Sequence, residues 1–470
     1  MWITLYAAAY VALEITAVYF AYRAVARART PQGSLAWVFF LITIPWLAVP
    51  AFLFFGHVRF RGYVIARRDS AEVVAGLAAM GEQNRARHDG GRFGFGAFEG
   101  IAEMPVVSGN SVELLIDGQE TFEAIFAAIE SAQNYVLAQF YIINDDGLGR
   151  RFAACLKAAA ARGVAVRLLY DSVGSARLPA SYLEDLRAAG IEVVNAHAIR
   201  GPRHRFQINF RNHRKTVVVD GQIGFTGGLN VGDEYLGLDA RFGAWRDTHC
   251  RLRGPVVSQL QLVFSEDWHW ATQRQPLQVL NWQADRAPDG MDAVVVATGP
   301  GDLMETGSLY FCACITRATR RLWIASPYFV PDVDILTALK LAALRGVDVR
   351  ILVPDAIDHR MPWLAAFAYF DEVRQAGVQV WRYTEGFMHQ KVLLVDDRLA
   401  SIGTTNMDNR SCRLNFEATV VVFSERATAN VAAMLEADFA RAYVLEETLD
   451  EQPFRRRLGA PFARLMAPVL

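Results

Sequence analysis

Lysine is scarce in this sequence of 470 residues, because arginine fills nearly all the basic positions. Lysine occurs at four positions: Lys157, Lys215, Lys340 and Lys391. Lys215 and Lys391 lie in a repeated motif, so half of the lysines belong to it. Lysine carries a compact point charge and arginine a planar fork. The retained lysines therefore indicate a site that needs an ammonium group, unless an arginine-biased genome left them there by chance.

The five cysteines are also few and scattered. Cys312 and Cys314 are too close in sequence for a zinc pair of the usual spacing, and no second pair answers them. The pattern predicts neither a disulfide framework nor a metal site.

An excess of either charge is absent: the formal net charge is −1. This balance argues against a protein that wraps a polyanion, so we expect no nucleic-acid partner. Hydrophobic residues make up 53% of the chain, which is high for a soluble enzyme and points to membrane segments.

Two long apolar runs open the chain. Residues 2–22 contain one acidic residue, Glu14, and residues 35–55 are interrupted only by a threonine and two prolines. Each run has the length of about twenty residues that crosses a bilayer core. A cleaved signal peptide is the alternative for the first run, but it lacks a basic start and a second run follows. Residues 1–56 are therefore predicted to form a two-helix transmembrane hairpin.

A duplicated motif is the most informative feature of the sequence. In both copies a histidine is followed after one residue by a lysine and after four more by an aspartate: His213, Lys215 and Asp220, and His389, Lys391 and Asp396. A glycine and an asparagine follow each copy at matched distances: Gly227 and Asn230, and Gly403 and Asn406. One copy alone would be interpreted as ordinary surface residues, whereas two matched copies indicate a shared site.

The spacing of the motif indicates which side chains can act together. Each copy is an apolar strand that ends in a turn, so its histidine and lysine share one face. The aspartates have the opposite parity and are predicted to brace the turn. A lysine can neutralise phosphoryl oxygens, and a histidine can attack or carry a proton near neutral pH. Two copies brought together would place two such pairs around one phosphate, with one histidine as nucleophile and the other as acid and base.

The rest of the chain also repeats. From about residue 105, strand and helix patterns alternate. Residues 161–167 match residues 344–350, and residues 189–193 match residues 376–380. Each repeat then runs into its histidine–lysine strand. The sequence therefore predicts a duplicated α/β unit.

Domain boundaries follow from these patterns. Residues 57–104 read as a glycine-rich, basic connector with a helical stretch around residues 71–79. A polar stretch near 272–292 is the joint between the halves, which gives domains over 105–290 and 291–470.

An acidic residue follows each motif, Asp247 after the first and Glu417 after the second. A catalytic histidine needs its second ring nitrogen held by a carboxylate or carbonyl. We therefore expect Asp247 to orient His213 and Glu417 to orient His389, with ordinary surface acids as the alternative.

The C-terminus mixes bulky apolar residues with arginines, as in Phe454-Arg455-Arg456-Arg457-Leu458. Such a basic amphipathic tail suits an anionic membrane surface. A frayed tail without a role is the alternative.

The motifs together resemble the phospholipase D superfamily, whose signature is the duplicated His-x-Lys-x4-Asp followed by glycine and asparagine. Further segments are similar to bacterial cardiolipin synthases: Gln139-Phe140-Tyr141, Trp245-Arg246-Asp247, Ser326-Pro327-Tyr328-Phe329-Val330-Pro331, Arg345-Gly346-Val347-Asp348-Val349, Asp358-His359-Arg360 and Leu414-Asn415-Phe416-Glu417. The resemblance covers nearly the whole chain. Gly228 departs from it, since the family often has serine there, although the second copy has Thr404.

This resemblance implies two phospholipase D-like α/β sandwich domains related by a pseudo-two-fold axis. It implies transfer of a phosphatidyl group from phosphatidylglycerol to His213 with release of glycerol, followed by attack of a second phosphatidylglycerol to give cardiolipin. His389 would be the acid and then the base. The catalytic set includes both aspartates of the motifs, and the lysines with Asn230 and Asn406 would hold the phosphoryl oxygens. No metal or other cofactor is expected.

The expected location is the inner membrane, with two spans. Three arginines lie between the apolar runs and four follow the second. This slight excess, together with the resemblance, favours a catalytic part on the cytoplasmic face. A homo-oligomer is possible.

Other functions stay open at this point. A hydrolytic phospholipase D shares both motifs, and so do other phosphatidyltransferases of the superfamily. A phosphatidylserine synthase would use a nucleotide-activated lipid, but the two predicted spans argue against it. A catalytically silent membrane scaffold does not fit two intact motifs. The sequence leaves open whether the donor is phosphatidylglycerol or phosphatidylethanolamine.

Overall fold

A computed structural model describes residues 2–26, 31–56, 81, 84–86, 94–196, 210–276 and 280–470. The three N-terminal helices belong to one compact unit, and the elements from Gly96 onwards belong to a second, catalytic unit. The helical stretch predicted around residues 71–79 lies outside the described residues.

The N-terminal unit consists of helices α1 (Trp2–Ala26), α2 (Pro31–Thr43) and α3 (Pro45–Phe55). Within α1, Thr4–Ala26 is long and apolar enough to cross a membrane. Its small residues pack on the other two helices, and Phe20 stacks on Phe52 at a ring distance of 5.1 Å.

The second apolar run is not the continuous helix that the sequence predicted. Ile44 leaves the helical conformation with φ −138° and ψ 63°, and a new helix begins at Pro45. The proline ring clashes with a preceding residue in the α region, which separates α2 from α3. Neither α2 nor α3 alone has the length of a span.

The first half of the catalytic unit alternates strands and helices as predicted. Its strands are β1 (Val107–Ile116), β2 (Tyr135–Phe140), β3 (Ala165–Tyr170), β4 (Glu192–Asn195), β5 (Arg211–Asn212), β6 (Thr216–Val219), β7 (Ile223–Gly227), β8 (Trp245–Arg246) and β9 (Thr248–Arg253). Its helices are α4 (Gly96–Ala102), α5 (Asp117–Ser131), α6 (Gly147–Ala161), α7 (Ala180–Ala188) and α8 (Val256–Thr272).

The second half repeats this order. Its strands are β10 (Met291–Thr298), β11 (Arg321–Ala325), β12 (Phe329–Val330), β13 (Asp348–Pro354), β14 (Gln379–Tyr383), β15 (Phe387–Met388), β16 (Val392–Val395), β17 (Leu399–Gly403), β18 (Met407–Asp408), β19 (Asn415–Phe423) and β20 (Ala442–Val444). Its helices are α9 (Thr306–Ile315), α10 (Val333–Leu344), α11 (Arg360–Arg374), α12 (Asn409–Arg413), α13 (Glu425–Phe439) and α14 (Phe454–Leu465).

One continuous sheet joins the halves. Its order in the described residues is β20-β14-β13-β11-β16-β17-β19-β10-β1-β9-β7-β6-β2-β3-β4. Antiparallel pairing of β1 with β10 lies at the middle, with Asn110 opposite Met291. Outward from this pair, seven strands of each half correspond in order, and β20 lies beyond β14 at one end. The predicted duplication is therefore visible in the topology, and both halves belong to one unit because they share the sheet.

Strands β2, β6, β16 and β17 are buried along their whole length, and β10 is buried at all but one residue. Burial on both faces explains the continuous apolar runs of these strands. Residues 293–297 of β10, for example, form the segment Ala-Val-Val-Val-Ala, and each is at most 5% exposed. Helices cover the sheet, and α4 and α8 pack on β10 at its middle.

Candidate active site

Each motif histidine follows a short strand that pairs with the other half of the chain. β5 runs parallel to β19, and the backbone N–H of His213 donates to the carbonyl of Phe416 at 3.0 Å. β15 runs parallel to β8, and the N–H of His389 donates to the carbonyl of Arg246 at 2.8 Å. These crossed pairings bring the two motifs to the midline of the sheet.

The carboxylates that hold the histidines are exchanged relative to the prediction. Nδ1 of His213 lies 2.9 Å from Glu417, and Nδ1 of His389 lies 2.9 Å from Asp247. The expected pairs of Asp247 with His213 and of Glu417 with His389 are therefore wrong. The reason is the pairing of β5 with β19 and of β15 with β8, which places each acid beside the histidine of the other half.

Both imidazoles are largely buried, and burial lowers their pKa values. The pKa of His213 lies below its usual value, although Glu417 opposes the shift. The pKa of His389 lies well below it because of burial and the nearby Lys391 and Lys215. Burial therefore favours the neutral form of both rings. Since Nδ1 donates to a carboxylate, Nε2 carries the lone pair that can attack or accept a proton.

The two imidazoles differ in what lies beside their ring nitrogens. Among the described residues, Nε2 of His213 has no hydrogen-bond partner, and the ring contacts Tyr141 edge-on at 5.0 Å. Nζ of Lys391, by contrast, lies 2.9 Å from Nε2 and 2.8 Å from Nδ1 of His389, which places it over the face of the ring.

The motif lysines share their histidines' face, as predicted. Nζ of Lys215 donates to the carbonyl of His213 at 2.7 Å, and Lys391 contacts the carbonyl of His389. Burial lowers the pKa of Lys215 to about 7 and that of Lys391 to about 8. Two ammonium groups in a site with little water suit the binding of an anion.

The two carboxylates have different surroundings. Burial opposes the ionisation of Glu417, but His213 and Lys215 outweigh it and its pKa lies below the usual value. Glu417 also accepts a hydrogen bond from Thr404 at 2.5 Å. The pKa of Asp247 is raised by burial, against the effect of Lys391.

Gly228 stands where Thr404 stands in the other half, and the geometry explains the difference. A Cβ atom on Gly228 would overlap the carboxylate of Asp247, whose Oδ1 accepts from the N–H of Thr248 at 2.8 Å. In the second half, the Thr404 hydroxyl has room to donate to Glu417. The departure from the family pattern at Gly228 therefore makes room for Asp247.

The motif asparagines also differ. Asn230 accepts from the N–H of Ile142 at 3.1 Å and donates to the hydroxyl of Tyr235 at 3.1 Å. The side-chain oxygen of Asn406 is buried and has no hydrogen-bond partner among the described residues.

The motif aspartates brace the backbone. Asp220 accepts hydrogen bonds from the N–H groups of residues 133–135, each at 2.8 Å. Asp396 accepts from the N–H groups of residues 319–321, with the nearest at 2.8 Å. Both have positive φ, 53° and 50°, at the turn that ends their strand. Their positions fit the bracing role that strand parity predicts.

Sequence reasoning missed the buried acids behind the motifs. The middle residue of the first motif, Arg214, pairs with Asp267 at 2.6 Å. The middle residue of the second, Gln390, donates to Asp438 at 2.8 Å, and Arg246 pairs with the same carboxylate at 2.8 Å. The sequence contained a signal for one of these acids, because Asp267 lies within the largely apolar segment that forms α8.

In the described ranges, no cluster of histidine, cysteine or acidic residues could hold a metal ion. The positive charge at the site comes from lysines. The arrangement can therefore form a covalent bond from a neutral histidine to phosphorus while two lysines neutralise the phosphoryl oxygens.

Comparison with solved structures gives the same architecture. Phosphatidylserine synthase from Haemophilus influenzae Rd KW20 superposes with a TM-score of 0.59, at 16% identity, over 80% of this chain and 99% of that one. Polyphosphate kinase from Porphyromonas gingivalis superposes with a TM-score of 0.50, at 14% identity, over 78% of this chain and 53% of that one. At these identities the likeness concerns the fold alone.

The family sequence model described as "Cardiolipin synthase, PLD-like domain" matches residues 125–268 and 311–442, which is more than half of the chain. Cardiolipin synthase A of Pseudomonas entomophila strain L48 is 46% identical over 96% of this chain and 95% of its own length. Cardiolipin synthase A of Pseudomonas aeruginosa strain LESB58 is 46% identical over 98% and 95%.

The duplicated fold and the paired histidine–lysine site define a phospholipase D-like phosphatidyltransferase. Within that class, the chain belongs to the cardiolipin synthase family, and its function is the cardiolipin synthesis of that family.

Proposed function

We propose that the enzyme transfers a phosphatidyl group from one phosphatidylglycerol to another through a phosphohistidine, and releases glycerol. The observation that carries the proposal is the meeting of both motif histidines at the sheet midline, each held at Nδ1 by a carboxylate from the other half. This constellation leaves Nε2 of each ring for chemistry on a single phosphate.

In the first step, Nε2 of His213 attacks phosphorus and the bond to the glycerol oxygen breaks. His389 acts here in the form that carries a proton on Nε2 as well as on Nδ1. It donates the Nε2 proton to that oxygen, so glycerol leaves as the neutral alcohol and His389 becomes the neutral base of the second step. The assignment of His213 as nucleophile follows the family resemblance, and Nε2 of His213 has no hydrogen-bond partner among the described residues. The four charged or polar groups Lys215, Lys391, Asn230 and Asn406 hold the phosphoryl oxygens.

In the second step, His389 takes a proton from the glycerol hydroxyl of a second phosphatidylglycerol. That oxygen attacks phosphorus, the bond to His213 breaks, and cardiolipin leaves. Burial keeps water scarce in the site, which favours a lipid alcohol over hydrolysis. No metal takes part, because the lysines provide the positive charge.

The finer architecture belongs to the same proposal. The two halves, 105–290 and 291–470, form phospholipase D-like sandwiches about a pseudo-two-fold axis, supported by the matched strand order around β1 and β10. Residues 1–56 form a membrane hairpin. Helix α1 is its first span, and α2 and α3 together form its second, interrupted span. Two spans put the N-terminus and the catalytic unit on the same side of the inner membrane, and the slight excess of arginines after the second run, with the family resemblance, supports the cytoplasmic side.

Trapping the intermediate tests the roles of the histidines. Loss of the general acid should slow adduct formation about 10²–10⁴-fold with a poor leaving group such as glycerol. A donor with a nitrophenol leaving group needs little protonation. His389→Ala should therefore accumulate a phosphatidyl adduct on His213 from this donor, detected by peptide mass spectrometry. His213→Ala should form none.

An adduct on His389 in the His213→Ala variant, with none on His213 in the reverse variant, would show that the roles are exchanged. Analysis of the lipid products separates a synthase from a hydrolytic phospholipase D. With phosphatidylglycerol as the only lipid, a synthase yields cardiolipin and glycerol, whereas a hydrolase yields phosphatidic acid. Single defined lipids in the same assay also decide between phosphatidylglycerol and phosphatidylethanolamine as donor.

A further inference from the structure

The C-terminal residues that read as a basic tail form a helix fixed to the catalytic unit. α14 packs against α11, where Arg464 donates to the carbonyl of Ala368 at 3.1 Å and pairs with Glu372 at 3.0 Å. Beyond the helix, the carbonyl of Leu470 accepts from the N–H of Arg410 at 2.7 Å. The chain end is therefore held at a defined place, and the frayed-tail alternative is wrong.

The inner face of α14 is made of small residues. Ala460 and Ala463 are at most 1% exposed, and a Cβ atom on Gly459 would meet Leu364 of α11. The guanidinium of Arg456 lies over the rings of Trp363 and Phe367. These contacts fix the rotation of the helix, so its outer face is defined as well.

The outer face carries bulky apolar side chains in register. Phe454, Leu458, Phe462 and Leu465 are 68%, 53%, 63% and 74% exposed. At 3.6 residues per turn these four positions fall within about 80° of one another. We call them the apolar stripe. Apolar side chains exposed at this spacing mark a contact surface rather than scattered surface residues.

The charges around the apolar stripe indicate what covers it. Arg455 and Arg457 lie on its two sides and are exposed. The segment Phe454–Leu465 contains four arginines and no acidic residue. A helix of this kind lies in the interface of a bilayer, with its apolar side chains below the headgroups and its arginines beside anionic lipids.

A second copy of the chain fits this surface less well. In a two-fold contact, α14 would face its own equivalent, and the exposed Arg455 and Arg457 of both copies would be brought into one interface. We propose that α14 docks the catalytic unit on an anionic phospholipid bilayer, through the apolar stripe and its flanking arginines. The inference rests on the proposed function only in that its lipids, phosphatidylglycerol and cardiolipin, are anionic.

Fluorescence in proteoliposomes tests the docking without measuring activity. The full-length Phe462→Cys variant carries an environment-sensitive dye at that thiol. Burial raises the pKa values of Cys155 and Cys312 to about 11, so these half-buried native thiols react slowly. In phosphatidylglycerol vesicles the dye should shift to the blue and be quenched severalfold by brominated acyl chains. The matched control is Glu436→Cys, an exposed position on α13, where neither change is expected.

A dye at position 462 that brominated lipids do not quench would overturn the proposal. A signal that instead grows with the protein-to-lipid ratio would identify a second copy as the occupant and overturn it equally. Neutral phosphatidylcholine vesicles should give weaker quenching than phosphatidylglycerol vesicles. Equal quenching in both lipids would show that the arginines do not contribute to docking.

Activity in vesicles gives an independent readout. The triple variant Phe454→Ser, Leu458→Ser, Phe462→Ser should lose roughly tenfold in rate on phosphatidylglycerol vesicles and keep its rate on detergent-dispersed short-chain substrate, because only interfacial binding is weakened. The control Leu341→Ser, Leu344→Ser changes two exposed leucines of α10 and should keep both rates. Equal rates of the triple variant and the control on vesicles would contradict the docking role. Dye insertion is independent of turnover, so its failure is distinguishable from failure of the proposed reaction.

Discussion

Each active-site imidazole receives its carboxylate from the opposite half of the chain, and the two carboxylates are not equivalent. Glu417 has a hydroxyl donor in Thr404, whereas Asp247 fits only because residue 228 is glycine. The first holds the proposed nucleophile and the second holds the proposed acid and base. A nearly symmetric pair of motifs is thereby made asymmetric by side chains outside the motifs.

Exchange of carboxylate for amide tests this crossed arrangement. Glu417→Gln should slow adduct formation on His213 by about 10²–10⁴-fold with both glycerol and nitrophenol leaving groups, since the nucleophile loses its orienting acid. Asp247→Asn should slow the reaction with the glycerol leaving group only. Rapid-quench measurement of adduct formation checks both. The uncrossed pairing would be correct if Asp247→Asn slowed adduct formation with both leaving groups and Glu417→Gln slowed it with glycerol only.

The buried lysines predict the alkaline pH dependence. The pKa of Lys215 is lowered to about 7 and that of Lys391 to about 8, so each ammonium loses its proton as the pH rises through that value. We expect kcat/KM to fall on the alkaline side, beginning between about pH 7 and 8, because a neutral amine no longer stabilises the phosphoryl oxygens.

Lys215→Arg provides the control for this dependence, since Lys215 has the lower pKa of the two lysines and arginine stays charged at all accessible pH values. Its rate should be lower, but its alkaline limb should move upward, towards the pKa of Lys391. A profile of kcat/KM that stays flat to pH 10 in the unchanged protein would disprove the assignment.

At the scale of elements, the site depends on four short strands, β5, β8, β15 and the start of β19. Short strands alone contribute little stability, and buried ion pairs fix them to the helices behind. Arg246 of β8 makes a two-pronged contact with Asp438 of α13, and the Arg246 and Asp438 side chains are 2% and 0% exposed. This pair links a strand of the first half to a helix of the second.

Removal of Asp438 should therefore be costly for stability. Asp438→Ala leaves Arg246 buried without its main partner, and we expect a loss of about 3–5 kcal/mol in the free energy of unfolding. Urea unfolding in detergent measures the change. Asp145→Ala removes the exposed pair with Arg150 and should change the same quantity far less, because solvent screens that pair. Similar losses in the two variants would argue against a structural role for the buried pair.

At the scale of the whole molecule, a single sheet carries both halves, and the site lies where they meet. Neither half contains a complete pair of histidine and carboxylate. The duplication therefore yields one site per chain, with both motifs directed at one phosphate.

Metal independence is a property of this complete site. The two lysines supply the positive charge, so we expect activity to survive an excess of chelator in metal-free buffer. Transfer activity measured before and after chelation checks this. The prediction fails if chelation abolishes activity and one particular metal restores it.

Much of this molecule could be predicted from local patterns. The strand and helix order from residue 105, the duplication, the shared face of each histidine and lysine, and the aspartates at the turns all follow from side-chain alternation and turn chemistry. The break at Pro45 also had a local signal, because a residue before proline avoids the helical region. The apolar length of the run alone does not show this break.

The tertiary structure alone decided what depends on contacts between distant segments. Residues His213 and Glu417 are 204 positions apart, and strand pairing between halves, not proximity in sequence, brings them together. The same holds for the lowered lysine pKa values, which arise from burial by both halves, and for the outward apolar stripe of α14, which packing against α11 directs. The sequence by itself determined which groups do the chemistry, because their residue types and local spacing are written in each motif. The fold determined how those groups are paired, since pairing is set by the geometry of the whole sheet.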